Sequence, residues 1–314
     1  MGNLFLRGCL SALVIVASLN VKVAAPQDVI ISNGRAIPED NLAYPVLFSL
    51  QTIIGKSLAS GFYINTTHGI YLVTANHFFG ELDSILKDTT TKQFRPDVNV
   101  LVTSYSRDPS DNKRNSFLLN LRTLESGGHL QTDPTTDIVV ITLGIGEREN
   151  NQAPSPVTTV AGVTVQEMAT LGTVGVSIEA VKKFDQVLIG NDVIMYGYPT
   201  SIGLSSIPQL DPDRPLLRKG IVSGKNVQKH TLVLDCPTYQ GNSVGPIFEI
   251  DRELTQTKYF LIGVAEQYVP YAMGSPTINI ISNSGYGIAT PMDPVIKIVE
   301  QVEQAEKRKA GDLP

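Results

Sequence analysis

The sequence predicts an all-β protein of barrel or sandwich type, closed by one C-terminal helix. Three observations point there. Short, β-branched apolar runs recur at 46–50, 69–73, 98–103, 117–121, 138–143, 193–198, 220–223, 231–234, 247–250 and 260–265, bounded by Gly, Pro, Asn or Asp. A clear helical pattern closes the chain, with Val295, Ile298, Val299, Val302 and Ala305 on one face. With 314 residues, 42% of them hydrophobic, the chain can bury a large core in one two-lobed domain or two small ones.

Taken in order, the chain begins with Arg7 followed by an apolar run over 8–19. That run is shorter than the roughly 20 residues that span a bilayer. With Val23-Ala24-Ala25 behind it, it reads as a secretory leader over 1–25, leaving 26–314 as the working domain of an exported protein. Pro26 leaves the cleavage site open, and a retained anchor is the alternative. Loss of Cys9 with the leader leaves Cys236 as one cysteine, so no internal disulfide can form and the core alone must stabilise the fold. Cys236 is expected to be a buried apolar residue. Asn65-Thr66-Thr67 is a glycosylation sequon, relevant only in a eukaryotic secretory route.

The polar stretch 147–156 is the expected connection between two lobes, with the boundary near 144–160, and 204–215 is a Pro- and Asp-rich loop. Asp293 suits a helix N-cap and Pro294 the first helical position. Lys307, Arg308 and Lys309 meet the negative end of the helix dipole, and Gly311 can terminate the helix. The helix is expected to pack on the body. A net charge of -5 argues against a nucleic-acid partner. Cys236 and the histidines lack ligand spacing, so no metal and no cofactor is expected.

The chemistry centres on Gln240-Gly241-Asn242-Ser243-Val244-Gly245-Pro246, a loop between the runs 232–234 and 247–250. Glycines let a peptide N–H turn toward a substrate, and a serine hydroxyl beside two such groups suits acyl transfer. The plain alternative is a polar turn that happens to contain serine. Ser243 needs a base, and the base an orienting acid. His77 follows an apolar strand running into Ala75-Asn76, and Asp137 opens the buried run 138–143. A carboxylate there is costly unless paired, and an imidazole N–H can pair it. No histidine follows Ser243, which excludes the Ser, acid, His order of the α/β-hydrolases. The order His77, Asp137, Ser243 is that of the chymotrypsin template. His68 and His129 read as exposed loop residues, and His230 lies too near Ser243 in sequence to fit that order.

These segments resemble the trypsin-like serine proteases. Ala59-Ser60-Gly61-Phe62-Tyr63-Ile64 with Leu72-Val73-Thr74-Ala75-Asn76-His77 resembles their histidine segment, and Asp137-Ile138-Val139-Val140 their acid-bearing strand. Gly241-Asn242-Ser243-Val244-Gly245-Pro246 resembles their serine loop. Arg218-Lys219-Gly220-Ile221-Val222-Ser223-Gly224 is similar to a strand of the bacterial, disulfide-free branch, and Ile31-Ser32-Asn33-Gly34 with Tyr44-Pro45-Val46 is loosely similar to the mature N-terminus of the animal enzymes. The likeness covers roughly 30–300.

The resemblance implies two six-stranded antiparallel β-barrels with the site in the cleft between them. It implies His77 as general base then acid, Asp137 as its orienting carboxylate, Ser243 as nucleophile, and the backbone N–H groups of Gly241 and Ser243 as the oxyanion hole. The expected activity is a serine endopeptidase working through an acyl-enzyme on a protein or peptide substrate. It would be secreted or periplasmic, with no stable membrane insertion after leader removal. Glu266 falls near the strand that lines the family's substrate pocket and is read as a solvated edge residue, the other reading being recognition of a basic side chain.

Two departures from the pattern matter. Asn242 stands where animal members carry the Asp that pairs with a new N-terminal amine, so activation by that ion pair is not expected. Val244 stands where the family has glycine, and valine is β-branched and stiff. If the loop needs φ > 0 there, valine costs of order 1–3 kcal/mol, and one misplaced oxyanion donor costs roughly 10²–10³ in rate. Its side chain is also a candidate to crowd the leaving-group side of the cleft. The alternative function is therefore a catalytically impaired protease-fold binding protein, and a third is an esterase using the same triad.

Overall fold

The computed structural model describes residues 42–310 apart from 81, 107, 109, 112, 134, 147–157, 170–171, 199–206, 208, 210–213, 240–242, 254–255 and 276–277. The predicted leader, Gly241, Asn242 and Gly311 lie outside the described residues. The first lobe contains β1 (Pro45–Thr52), β2 (Gly55–Asn65), β3 (Gly69–Ala75), β4 (Asn99–Tyr105), β5 (Arg114–Asn120), β6 (Leu130–Thr132), β7 (Ile138–Ile145), β8 (Thr158–Thr159), β9 (Val163–Glu167) and β10 (Val176–Ser177). Its connections carry the short helices α1 (His77–Gly80), α2 (Asp83–Leu86) and α3 (Leu121–Ser126). The second lobe comprises β11 (Asp192–Gly197), β12 (Leu216–Asn226), β13 (Thr231–Asp235), β14 (Pro246–Arg252), β15 (Thr257–Ser275) and β16 (Ile278–Pro291), followed by α4 (Asp293–Ala310).

The ten apolar runs read from the sequence fall on strands of both lobes, and the protein is mostly β with a C-terminal helix. Where a sheet faces a core on one side the pattern alternates: β5 reads half-buried, buried, half-buried through Arg114–Asn120. β7 is instead buried almost throughout, with cores on both faces. Leu121 ends the run 117–121 outside its strand, because the Asn120 side chain accepts from the Thr123 N–H at 2.9 Å and starts α3.

The two lobes differ in closure. The second is a closed barrel in the order β11-β12-β13-β16-β15-β14. The first is a 10-stranded sheet running β6-β7-β3-β2-β1-β4-β5-β9, with β10 beside β2 and β8 beside β7. Two six-stranded barrels are thus not what the described residues form. The short strands β8, β9 and β10 lengthen the first sheet instead, and segments of 2–5 residues have too little periodicity to be read from sequence. Within this sheet β9 pairs with β5 and β10 pairs in parallel with β2. The polar stretch 147–156 expected as the connection lies outside the described residues. Gly61 on β2 is required by close packing, since a Cβ would stand 2.5 Å from Phe48 and from the Val73 carbonyl oxygen.

Three apolar clusters result. One fills the first lobe and one the second barrel. The third lies between them and unites Val73, Ala75 and Val140 with Tyr196, Phe248, Leu261 and the α4 residues Val295, Ile298 and Val299. α4 therefore locks the lobes together, and the expectation that it packs on the body holds. Its cap differs from the expected one. The Ile296 N–H bonds to the Met292 carbonyl, while the Asp293 carboxylate accepts from the Phe184 N–H at 2.9 Å and so ties the helix start to the interlobe segment.

The same segment is pinned by a buried charge. Glu249 on β14 is fully buried and accepts from Lys182 Nζ at 2.8 Å, Asn191 Nδ2 at 2.7 Å and the Leu188 N–H at 3.3 Å. Lys182 also donates to Asp251 at 3.3 Å and lies 4.5 Å from the centroid of the Phe260 ring. Both carboxylate oxygens are thereby partnered, two bonds reaching Oε1 and one Oε2, as a buried carboxylate requires.

Candidate active site

The pairing of β3 with β7 sets the geometry of the first two candidates. Ala75 lies opposite Ile138, so the residues just beyond, Asn76 and Asp137, leave the sheet side by side, with the Asn76 N–H on the Asp137 carbonyl at 3.1 Å. Phe79 and Gly80 N–H groups return to the Asn76 carbonyl, which folds the chain into α1 and sets His77 at its first position. Asp137 Oδ1 accepts from the His77 main-chain N–H at 2.7 Å, and Oδ2 pairs with His77 Nδ1. One carboxylate thus holds backbone and ring of the same histidine, fixing the ring's position. The Asp137 side chain is 28% exposed and that of His77 39%, so the pair opens to solvent on one side.

The approach to Asp137 is itself braced. Asp133 Oδ1 accepts from the Thr135 and Thr136 N–H groups at 2.8 and 2.9 Å. Burial raises its carboxyl pKa, but these bonds and those from the two threonine hydroxyls outweigh burial and hold it below the ordinary value.

Ser243 is half-buried. Val244, directly after it, has φ 64, in the left-handed region. Its N–H donates to the Ala265 carbonyl at 2.7 Å, and the Ala265 N–H returns to the Gly245 carbonyl at 3.1 Å. Its side chain is 2% exposed and belongs to the interlobe cluster with Ala75 and Ile138. The crowding of the cleft expected for this valine is not what the structure has: the side chain is core. The segments bearing His77, Asp137 and Ser243 are all rooted in this one cluster, each through a residue one or two positions away.

The remaining histidines stand elsewhere. His230 occupies the β12–β13 turn at φ 53, packed on Phe184 in a tilted contact with centroids 4.3 Å apart. His129 is half-buried near α4; burial lowers its pKa, with Glu306 opposing and Lys309 reinforcing the shift. His68 is half-buried rather than exposed. Glu266 is likewise half-buried, accepting from the Thr290 hydroxyl at 2.9 Å. Cys236 is fully buried, as expected, and burial, aided by Asp235 and opposed by Arg218, pushes its thiol up to about 11. The sequon is closed off: Asn65 is 8% exposed and wedged against Gly175, and the Thr66 hydroxyl bonds to Glu303.

One contact had no signal in the sequence. Asn283 Nδ2 on β16 donates to the Thr238 carbonyl at 2.6 Å, bracing the stretch that leads into the serine loop. The partners lie 45 positions apart, and neither sits in a motif.

A family model described as the trypsin-like peptidase domain matches residues 59–255. The chain belongs to the trypsin-like peptidase family. Among solved structures it is similar to the serine endoprotease from Yersinia pestis, at 16% identity and a TM-score of 0.41 over 85% of this chain and 67% of that one. It is also similar to an HtrA-type protease, AlgW with a tripeptide, at 16% identity and 0.41 over 84% and 64%, and to tobacco vein mottling virus protease at 12% and 0.39 over 83% and 82%. The chain spans about two thirds of the length of the HtrA-type structure. No curated protein matches it by sequence. Among the described residues no helix is long and apolar enough to cross a membrane.

Proposed function

We propose that the protein is an exported serine endopeptidase that cleaves peptide bonds through an acyl-enzyme. In this mechanism His77 takes the proton of the Ser243 hydroxyl as Oγ attacks the scissile carbonyl, then returns it to the leaving amine. Asp137 holds the imidazole in the tautomer with its proton on Nδ1 and stabilises the imidazolium. The N–H groups of Gly241 and Ser243 bind the oxyanion, and water later releases the acid product by the same steps in reverse. No cofactor takes part.

The observation that carries this is the double hold of Asp137 on His77, through the main-chain N–H and through Nδ1. A turn that merely contained serine would have no use for a histidine fixed in this way. Reaction with a fluorophosphonate probe and peptide mapping tests it. Label on Ser243, abolished in Ser243→Ala and in unfolded protein, is expected, and folded protein that takes up no label at Ser243 overturns the proposal.

A second function rests on Val244. A valine held at φ 64 strains the serine loop, and a strained loop that misplaces an oxyanion donor would leave a protease-fold binding protein with little turnover. The two differ in what Val244→Gly does to hydrolysis.

A further inference from the structure

β16 bulges where it passes Thr238. Tyr268 of β15 lies opposite Gly287 and Pro270 opposite Asn283, so 284–286 of β16 face Val269 alone. The bulge is held by its own side chains. Asn283 Oδ1 accepts from the Gly285 N–H at 2.9 Å, and Gly285 supplies φ 88. The Ser284 hydroxyl donates to the Val269 carbonyl at 2.6 Å and accepts from the Tyr286 N–H at 3.2 Å. Bulges re-aim side chains, and here the one re-aimed is Asn283. With Oδ1 taken by Gly285, Nδ2 is the atom that meets the Thr238 carbonyl, at 2.6 Å. The turn itself needs only the acceptor, which Asp supplies as well as Asn. The donor half of the amide serves Thr238.

Thr238 is 2% exposed, and its hydroxyl donates to the Cys236 carbonyl at 3.3 Å. Gly287 lets β16 pass so close that a Cβ there would stand 2.4 Å from that hydroxyl. Next along the chain, the Tyr239 ring centroid lies 4.4 Å from the Arg218 guanidinium of β12. Thr238 and Tyr239 lead through 240–242 to Ser243. Beyond Ser243, the Val244 N–H and the Gly245 carbonyl are bonded to Ala265 of β15. Ser243 thus lies between two anchors on the paired strands β15 and β16, main-chain bonds to Ala265 after it and the Asn283 amide before it.

We propose that Asn283 is a positioning residue for Ser243, an inference that rests on the peptidase reading above. Its bond to the Thr238 carbonyl fixes the start of the serine loop, so that the hydroxyl meets His77 in reacting geometry. A misplacement of about 1 Å at a reacting group costs on the order of 10²-fold in rate. Substrate contacts elsewhere do not depend on this bond, so kcat depends on Asn283 and KM does not.

Two variants test this. Asn283→Asp keeps the acceptor for Gly285 and loses the donor to Thr238, whereas Asn283→Ala loses both and adds no charge. Peptide hydrolysis is measured per Ser243 titrated with a fluorophosphonate, so unfolded molecules do not count. Both variants are expected to lose kcat by about 10- to 100-fold, with KM within about twofold of the native value. Native kcat in either variant, or a loss carried by KM, overturns the inference and leaves the peptidase reading standing. Native protein that neither hydrolyses peptides nor takes label on Ser243 removes that reading, and this inference with it.

Discussion

The Val244 N–H donates to the Ala265 carbonyl at 2.7 Å while Val244 itself holds φ 64. The strand β15 thus imposes on valine the left-handed conformation that glycine would adopt freely. That conformation costs a β-branched residue about 1–3 kcal/mol in strain, offset by burial of the side chain, worth about 1.5–3 kcal/mol.

Val244→Gly accordingly relieves strain and removes burial in similar amounts. Its thermal midpoint is expected within a few degrees of the native value, and kcat/KM within about tenfold, a factor worth about 1.4 kcal/mol. Peptide hydrolysis assays check this. A gain on the order of 10²-fold or more would mean that the native loop lacks an oxyanion donor and would favour the binding protein.

Asp137→Asn replaces an acceptor that faces His77 Nδ1 with a group that can present its NH₂ there, holding the wrong tautomer. kcat is expected to fall on the order of 10⁴-fold, with the fold intact by circular dichroism. In the native protein kcat/KM is expected to fall on mild acidification, as protonation of His77 removes the base. A pH–rate profile measures both, and a profile flat from mildly acidic to mildly basic pH would remove His77 from its role.

Lys182→Met leaves the fully buried Glu249 carboxylate without its cation. The expected loss is about 3–5 kcal/mol in denaturant unfolding. Adding Glu249→Gln should recover part of it, because the orphaned charge is gone while the Asn191 and Leu188 donors keep an acceptor. Equal losses in the single and double variants would show that the ion pair does not couple.

Cys236 is fully buried, with its thiol raised to about 11. At neutral pH it is a protonated, inaccessible thiol, so iodoacetamide should not label it until the protein is unfolded. Mass spectrometry before and after denaturation checks this. Rapid native labelling would place the residue at the surface.

The ten strand runs, the closing helix with Val295, Ile298 and Val299 turned inward, the buried Cys236 and the His, Asp, Ser order were legible in the amino-acid sequence, because period, turn residues and motif spacing are local properties. The pairing of His77 with Asp137 was legible as a need: a carboxylate opening a buried strand requires a partner. What only the tertiary structure decided depends on residues distant along the chain. The register of β3 on β7 sets Asp137 under His77. Ala265 draws Val244 to positive φ and sends its side chain into the core. Lys182 reaches Glu249, and a bulge in β16 aims Asn283 at Thr238. No local pattern encodes these, because each is a contact whose energy exists only once two separate segments have been brought together.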